Sequence, residues 1–345
     1  MKKLFGMFLL AMLLSFQVVA APKFRVAWSH YTGWEPWAYA QQAGILKKWG
    51  AKYGIEIDLV LVNDYVESIN LYTGGKFDAC VMTNMDALTI PAVGGVDSTA
   101  LIIGDFSNGN DGIVMKKGES VKDLKGRSIK LVELSVSHYM LSRALDMNGL
   151  KDRDVKTVNT SDADIAAVFS TDANGAVVTW NPPLQQVRNM KGAKLVFDSS
   201  KIPGEIIDML VVKTAAPDSL KKALTGAWYE TMSVMAGGGK AANDAIDYMA
   251  KNSGATAAEF KAQLGTTAMF YKPADAAKFA EGADLKKTMD YVRAFSFDKG
   301  LYGKGAKSKD LVGIVFPDGS TQGDKKNVKL RFDASFMKMA AEGKL

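Results

Sequence analysis

Between Trp28 and Trp37 the chain reads Trp-Ser-His-Tyr-Thr-Gly-Trp-Glu-Pro-Trp, three of its six tryptophans in one short run. The run carries one carboxylate, Glu35, and neither Lys nor Arg. Indole faces attract a cation through their π electrons, and a carboxylate accepts N–H bonds in its own plane. An anion would instead call for Arg, Lys or free helix N-termini. The run therefore suits a small cationic or neutral polar ligand. Trp34 and Trp37 are the candidate faces and Glu35 the candidate acceptor.

The elements that position this run are strands alternating with helices. Apolar β-rich stretches at 24–28, 55–62, 77–81, 99–104, 112–116, 129–132, 155–158, 176–178, 194–197 and 206–212 read as strands. Helical stretches at 68–72, 85–93, 137–147, 162–170 and 183–190 lie between them. Such alternation means βαβ units and mostly parallel sheets, which bind ligands at the carboxyl ends of their strands. The loops at those ends are 29–37, 63–68, 82–86, 105–111, 133–139, 179–182 and 203–208. They hold Glu35, Asp64, Glu67, Asp86, Asp105, Asp111, Glu133, Glu205 and Asp208, and no Lys or Arg. At the chain's basic content, roughly five basic residues would fall there by chance.

The candidate ligand-binding set is Trp34, Glu35, Trp37, Asp64, Thr83, Asn84, Asp86, Asp111, Glu133, Ser137, Tyr139, Trp180 and Asp208. Several have a plainer alternative. Thr83-Asn84-Met85-Asp86 is a capping-box pattern, so Asp86 could serve only its own helix. Asp64 could form a turn and Ser137 a helix cap. Trp34, Trp37 and Trp180 are each either core or cleft wall. His30 and His138 read as hydrogen-bonded structural residues. No Ser/His/Asp arrangement, Gly-rich phosphate loop or metal-binding motif stands in the sequence. With two histidines and one cysteine, neither a His/Cys metal site nor a cofactor is expected.

Residues 1–20 have the form of a secretory signal peptide: Lys2 and Lys3, an apolar run, then Val18-Val19-Ala20 as the cleavage site. No Cys follows the run, so no lipid anchor is expected, and no other stretch approaches the ~20 apolar residues of a membrane span. The expected location is the periplasm. Loss of Lys2 and Lys3 takes the formal charge from +6 to +4. The remaining basic residues are scattered or clustered without stacking aromatics, unlike a nucleic-acid groove. The single cysteine, Cys80, forms no internal disulfide and reads as a buried strand thiol.

About 325 residues then remain, enough for two domains. Turn-rich breaks at Asn108-Gly109-Asn110-Asp111-Gly112 and Pro203-Gly204 suggest two lobes joined by paired crossings. The expected organisation is a first lobe at 21–111, a hinge crossing at 112–116, a second lobe at 117–205 and a return crossing at 206–212. Residues 213–345 rejoin the first lobe and form a helical C-terminal region. A cleft between such lobes opens and closes by a hinge.

Four segments carry a family resemblance: Tyr31-Thr-Gly-Trp-Glu-Pro-Trp37, Asn63-Asp-Tyr-Val-Glu-Ser-Ile-Asn70, Met82-Thr-Asn-Met-Asp-Ala-Leu-Thr89 and Gly104-Asp-Phe-Ser-Asn-Gly-Asn-Asp-Gly112. Over nearly the whole mature chain the sequence resembles the solute-binding proteins of ABC importers in the nitrate/sulfonate/taurine group. It is most similar to the branch whose genes accompany urea carboxylase. The resemblance implies an α/β, two-lobed periplasmic-binding-protein fold of type II with a hinged cleft. It also implies a monomer that captures a small nitrogen-rich ligand, guanidine first and urea second, and delivers it to an ABC transporter permease. Two other roles share this fold, a periplasmic sensor or adaptor and an enzyme like the thiamine-pyrimidine synthases. The latter carry a Cys-rich segment that one cysteine cannot supply.

Overall fold

Successive βαβ units assemble into two sheets in the computed structural model, which describes residues 20–345. The expected signal peptide thus lies, but for Ala20, outside the described residues. The first sheet begins with β1 (Lys23–Trp28), β2 (Glu56–Leu61), β3 (Ala79–Thr83) and β4 (Ser98–Ser107). The second contains β5 (Asp111–Lys116), β6 (Ser128–Leu131), β7 (Lys156–Asn159), β8 (Ala176–Trp180) and β9 (Ala193–Asp198). The chain then returns to the first sheet with β10 (Ile207–Lys213), β11 (Thr267–Met269), β12 (Gly313–Val315), β13 (Thr321–Gln322) and β14 (Val328–Phe332). The larger sheet runs β13-β12-β14-β4-β10-β3-β1-β2 with β11 beside β4, and the smaller runs β7-β6-β8-β5-β9. This is the expected two-lobed α/β architecture, and all ten strands read from the sequence are present.

Two expectations change. The sheets are mixed rather than mostly parallel, because β10 is antiparallel to both β3 and β4, and β5 to both β8 and β9. Each strand that returns from one sheet to the other is central and runs against its neighbours. The stretches 112–116 and 206–212 are strands, as expected, and the chain enters and leaves the second sheet just before each of them. The C-terminal region expected to be helical also contains four short strands, β11 among its helices and β12, β13 and β14 ahead of the last helix, Ser335–Ala341.

β10 shows why its segment folds this way. Ile207-Asp-Met-Leu-Val-Val212 is buried throughout, the pattern of a strand covered on both faces. Asp208 is the one charged residue in that run. The first-lobe helices pack under the long helix Asp218–Ala236, where Gly226 leaves room for Trp49: a Cβ there would stand 2.3 Å from the indole. Cys80 is fully buried, as expected, and burial pushes its thiol up to about 12.

Candidate ligand-binding site

After β1 the chain turns sharply. Tyr31 carbonyl oxygen accepts from the backbone N–H of Trp34 (2.8 Å) and of Glu35 (3.1 Å), and Pro36 then starts the helix Glu35–Gln42. The turn sets Tyr31 and Trp34 with ring centroids 5.0 Å apart. Trp34 lies 5.4 Å from Tyr65, which opens the helix Tyr65–Thr73 after β2. Tyr65 in turn meets Trp180, the last residue of β8 in the other lobe, edge-on at 5.4 Å. The Trp180 indole N–H donates across the cleft to His30 carbonyl oxygen at 3.1 Å. Three loops thus build one aromatic wall that spans both lobes.

Opposite this wall are four buried carboxyls. Asp86, in the helical turn after β3, accepts from Tyr65 hydroxyl (2.7 Å), Thr83 hydroxyl (2.9 Å) and, from the second lobe, Val136 N–H (3.2 Å). Asp105 on β4 accepts from Tyr31 hydroxyl at 2.9 Å. Asp111 opens β5 and accepts from Ser107 hydroxyl at 2.6 Å. Asp208 on β10 stands directly across from Asp105 in the antiparallel ladder. Asp86 Oδ1, Asp105 Oδ2 and Asp208 Oδ2 are buried without a partner. Among the described residues, no Lys or Arg pairs with any of the four.

Burial dominates their electrostatics, because removal from water penalises the ionised form. It lifts Asp86 to about 6 against the hydrogen bonds that hold it. Asp105 and Asp111 rise to about 7, with repulsion from neighbouring Asp side chains adding to burial. Asp208 is held well above the usual carboxylate range by burial and then by the charges of Asp105 and Asp111.

Wall and carboxyls enclose a cavity between the lobes. Tyr31, Trp34, Tyr65, Thr83 and Asp208 line it from the first lobe; Asp111, Val136 and Trp180 line it from the second; Ile206 lines it from the return connection. Its volume for a water-sized occupant is about 10 Å³, the room of roughly one water molecule. The lobes are therefore shut down on it. A much larger hollow of about 520 Å³ lies beside Arg143, Glu205 and Tyr291. There Arg143 is already neutralised by two 2.8 Å bonds to Glu205, so the unsatisfied chemistry sits in the smaller, enclosed cavity.

Of the sequence candidates, Trp34, Thr83, Asp111, Trp180 and Asp208 line this cavity, and Asp86 lies behind it, held by Tyr65 and Thr83. Ser137 is buried beside Val136 with its hydroxyl unpartnered. The others are used elsewhere. Glu35 is fully buried but held by His30 Nδ1 (2.6 Å) and Asn252 Nδ2 (2.8 Å). Burial alone would push the His30 imidazole down; the hydrogen bond and charge of Glu35 outweigh it and raise it. Trp37 packs on Trp228 at 4.9 Å in the core. Asp64 caps its helix through Glu67 N–H and accepts from Ser161 across the cleft. Asn84 pins the return connection, donating to Glu205 carbonyl oxygen and accepting from Ile207 N–H. Glu133 accepts from Thr157, and Tyr139 donates to Glu205.

Tyr31, Tyr65, Asp105, Val136 and Ile206 were missing from the candidate set. All five lay within the acid-rich loops already singled out; the signal that separates them is contact across strands, which sequence order hides.

Two α/β lobes shut on a polar cavity at the strand ends define the periplasmic-binding-protein fold, with the type II two-lobed arrangement. The chain belongs to the NMT1/THI5-like family, whose model matches residues 26–217, more than half its length. Solved structures share the fold. The alkanesulfonate-binding protein SsuA of Xanthomonas axonopodis pv. citri, bound to MOPS, superposes with a TM-score of 0.67 at 17% identity, over 83% of this chain and 96% of that one. The periplasmic aliphatic sulphonate-binding protein SsuA of Escherichia coli gives 0.66 at 16%, over 82% and 94%. A putative periplasmic sulfonate-binding protein SsuA of Methylobacillus flagellatus KT gives 0.61 at 15%, over 94% and 96%. No curated protein matches by sequence.

Proposed function

We propose that this chain is the solute-binding component of an ABC importer, working in the periplasm and capturing a small nitrogen-rich cation, guanidinium, for a membrane permease. One observation carries the ligand: Asp208, with Oδ2 buried and unpartnered, and Asp111 line a cavity walled by Tyr31, Trp34, Tyr65 and Trp180, with no basic residue in that lining. Guanidinium is flat and permanently charged, with six N–H donors for those oxygens and two faces for the indoles. The sulfonates named for the similar structures would meet like charge here and no basic side chain. Capture also matches the small cavity, since an ion of four non-hydrogen atoms fits once the lobes move apart and reclose around it.

A second reading, urea, is favoured by one atom. Trp34 Nε1 is buried without an acceptor, and guanidinium offers none, whereas the urea carbonyl does. Asp carboxyls protonated near neutrality could also donate to that oxygen.

A thermal-shift and calorimetry series over guanidinium, methylguanidine, urea, nitrate and taurine tests the assignment. Guanidinium at 100 times its Kd should stabilise the fold by about 2.7 kcal/mol, with no response to nitrate or taurine. Tight binding of an anion with no response to guanidinium would overturn it.

A further inference from the structure

Asp105 and Asp208 are cross-strand partners on β4 and β10. The register sets their side chains next to one another across the ladder, where the charge of Asp105 acts on Asp208. Both are buried, and each keeps one oxygen, Oδ2, that no donor reaches. Two ionised carboxylates are acceptors only and cannot bond to each other; a contact between them needs a proton on one. Among the described residues, no Lys or Arg pairs with either carboxyl to take that proton's place. Tyr31 hydroxyl, from the turn after β1, donates to the other oxygen of Asp105 at 2.9 Å and also lies within reach of Asp208, but its single proton cannot serve both carboxyls. Asp111 from β5 adds repulsion, and Tyr271, beyond β11, supplies no positive charge. Gly33 closes the remaining side, since a Cβ there would stand 2.2 Å from Asp105 Oδ2.

We infer that Asp105 and Asp208 share one proton in the ligand-free protein, and that a cation entering the cavity displaces it, so that capture is a cation-for-proton exchange. The balance is simple. The free pair holds one proton and one negative charge. On capture the proton leaves for bulk water, both carboxyls ionise, and the bound cation supplies the counter-charge. The pair thereby selects for charge: a neutral ligand of the same shape cannot take over the proton's role. The exchange part rests on the cationic reading above, whereas proton sharing in the free protein does not.

Two measurements on the full chain separate these. In the first, guanidinium chloride is titrated calorimetrically at pH 7 in buffers of differing ionisation enthalpy, which counts protons released. Wild type should release about one proton more per ion bound than Asp208→Asn, whose amide N–H replaces the shared proton. Its affinity should tighten up to about tenfold per pH unit below the titration of the pair. Equal release by both proteins, at proven binding, would overturn the exchange. In the second, infrared spectra of the ligand-free protein at pH 7 should show a protonated-carboxyl carbonyl band that Asp208→Asn reduces and Asp105→Asn also reduces. A wild-type spectrum without that band would overturn proton sharing itself. The band present with no guanidinium response would retain the shared proton and remove the ligand reading. Should one Asn variant fail to fold, the other and the wild-type spectrum still decide the matter.

Discussion

Trp34 and Trp37 are separated by a single turn of chain and do unlike work. Trp34 ends the turn and faces Tyr31 and Tyr65 in the cavity; Trp37 is on the first helical turn and packs on Trp228. Replacing Trp34 with Leu keeps apolar bulk and removes most of the π attraction. A desolvated cation–π contact of about 2 kcal/mol corresponds to a roughly thirtyfold loss of guanidinium affinity. Trp37→Leu should leave the affinity nearly unchanged and lower stability by roughly 2–3 kcal/mol, because it opens a void in a close-packed core. Measuring Kd and Tm on the same preparations distinguishes them; equal affinity in both variants would remove Trp34 from the site. Glu35→Gln belongs with Trp37, since Glu35 is occupied by His30 and Asn252 and should alter stability more than binding. Composition alone could not sort these residues. A carboxylate that caps a helix, one that anchors a histidine and one that lines a cavity have the same sequence appearance, and only their donors tell them apart.

At the scale of elements, the order of strands and helices was legible and their directions were not. Apolar runs bounded by turn residues gave every strand through β10, since that pattern is what burial on both faces requires. Strand direction follows from which sheet a connection enters, and nothing local in 108–110 or 199–206 records that. The cost to the site reading is visible at Asp105. Its place opposite Asp208 exists only because β10 returns antiparallel beside β4. The same packing makes a prediction about the turn after β1. Gly33 is there because the turn lies against Asp105, not because its backbone needs a positive φ. Gly33→Ala should push the Asp105 carboxyl away from its place, weakening guanidinium binding by more than about tenfold (a cost of roughly 1.4 kcal/mol or more). A Kd within twofold of wild type would mean that Asp105 does not contribute at that position.

At the scale of the whole molecule, closure and charge are linked. The two lobes meet through Val136 N–H on Asp86, Trp180 on His30, Tyr65 N–H on Asp162 and Ser161 on Asp64. These contacts shut the four carboxyls away from water, which is why Asp86, Asp105, Asp111 and Asp208 all have raised pKa values. A carboxyl whose folded pKa lies above its unfolded value of about 4 binds its proton more tightly in the folded, closed protein. Below about pH 4 both states are protonated and nothing is lost. As pH rises from there through about 6 and 7 the folded protein must give up protons it holds, and stability falls. The ligand-free protein should therefore melt at progressively lower temperature across that window, and Asp208→Asn should melt with a shallower slope, a comparison in which the other titrating groups cancel. The open form, with its carboxyls in water, should gain population over the same range, so that scattering gives a larger radius of gyration at pH 8 than at pH 5. Saturating guanidinium at pH 8 should restore the compact value, because the cation supplies the charge that closure otherwise lacks. A melting curve independent of pH, identical in wild type and Asp208→Asn, would separate closure from the state of these carboxyls.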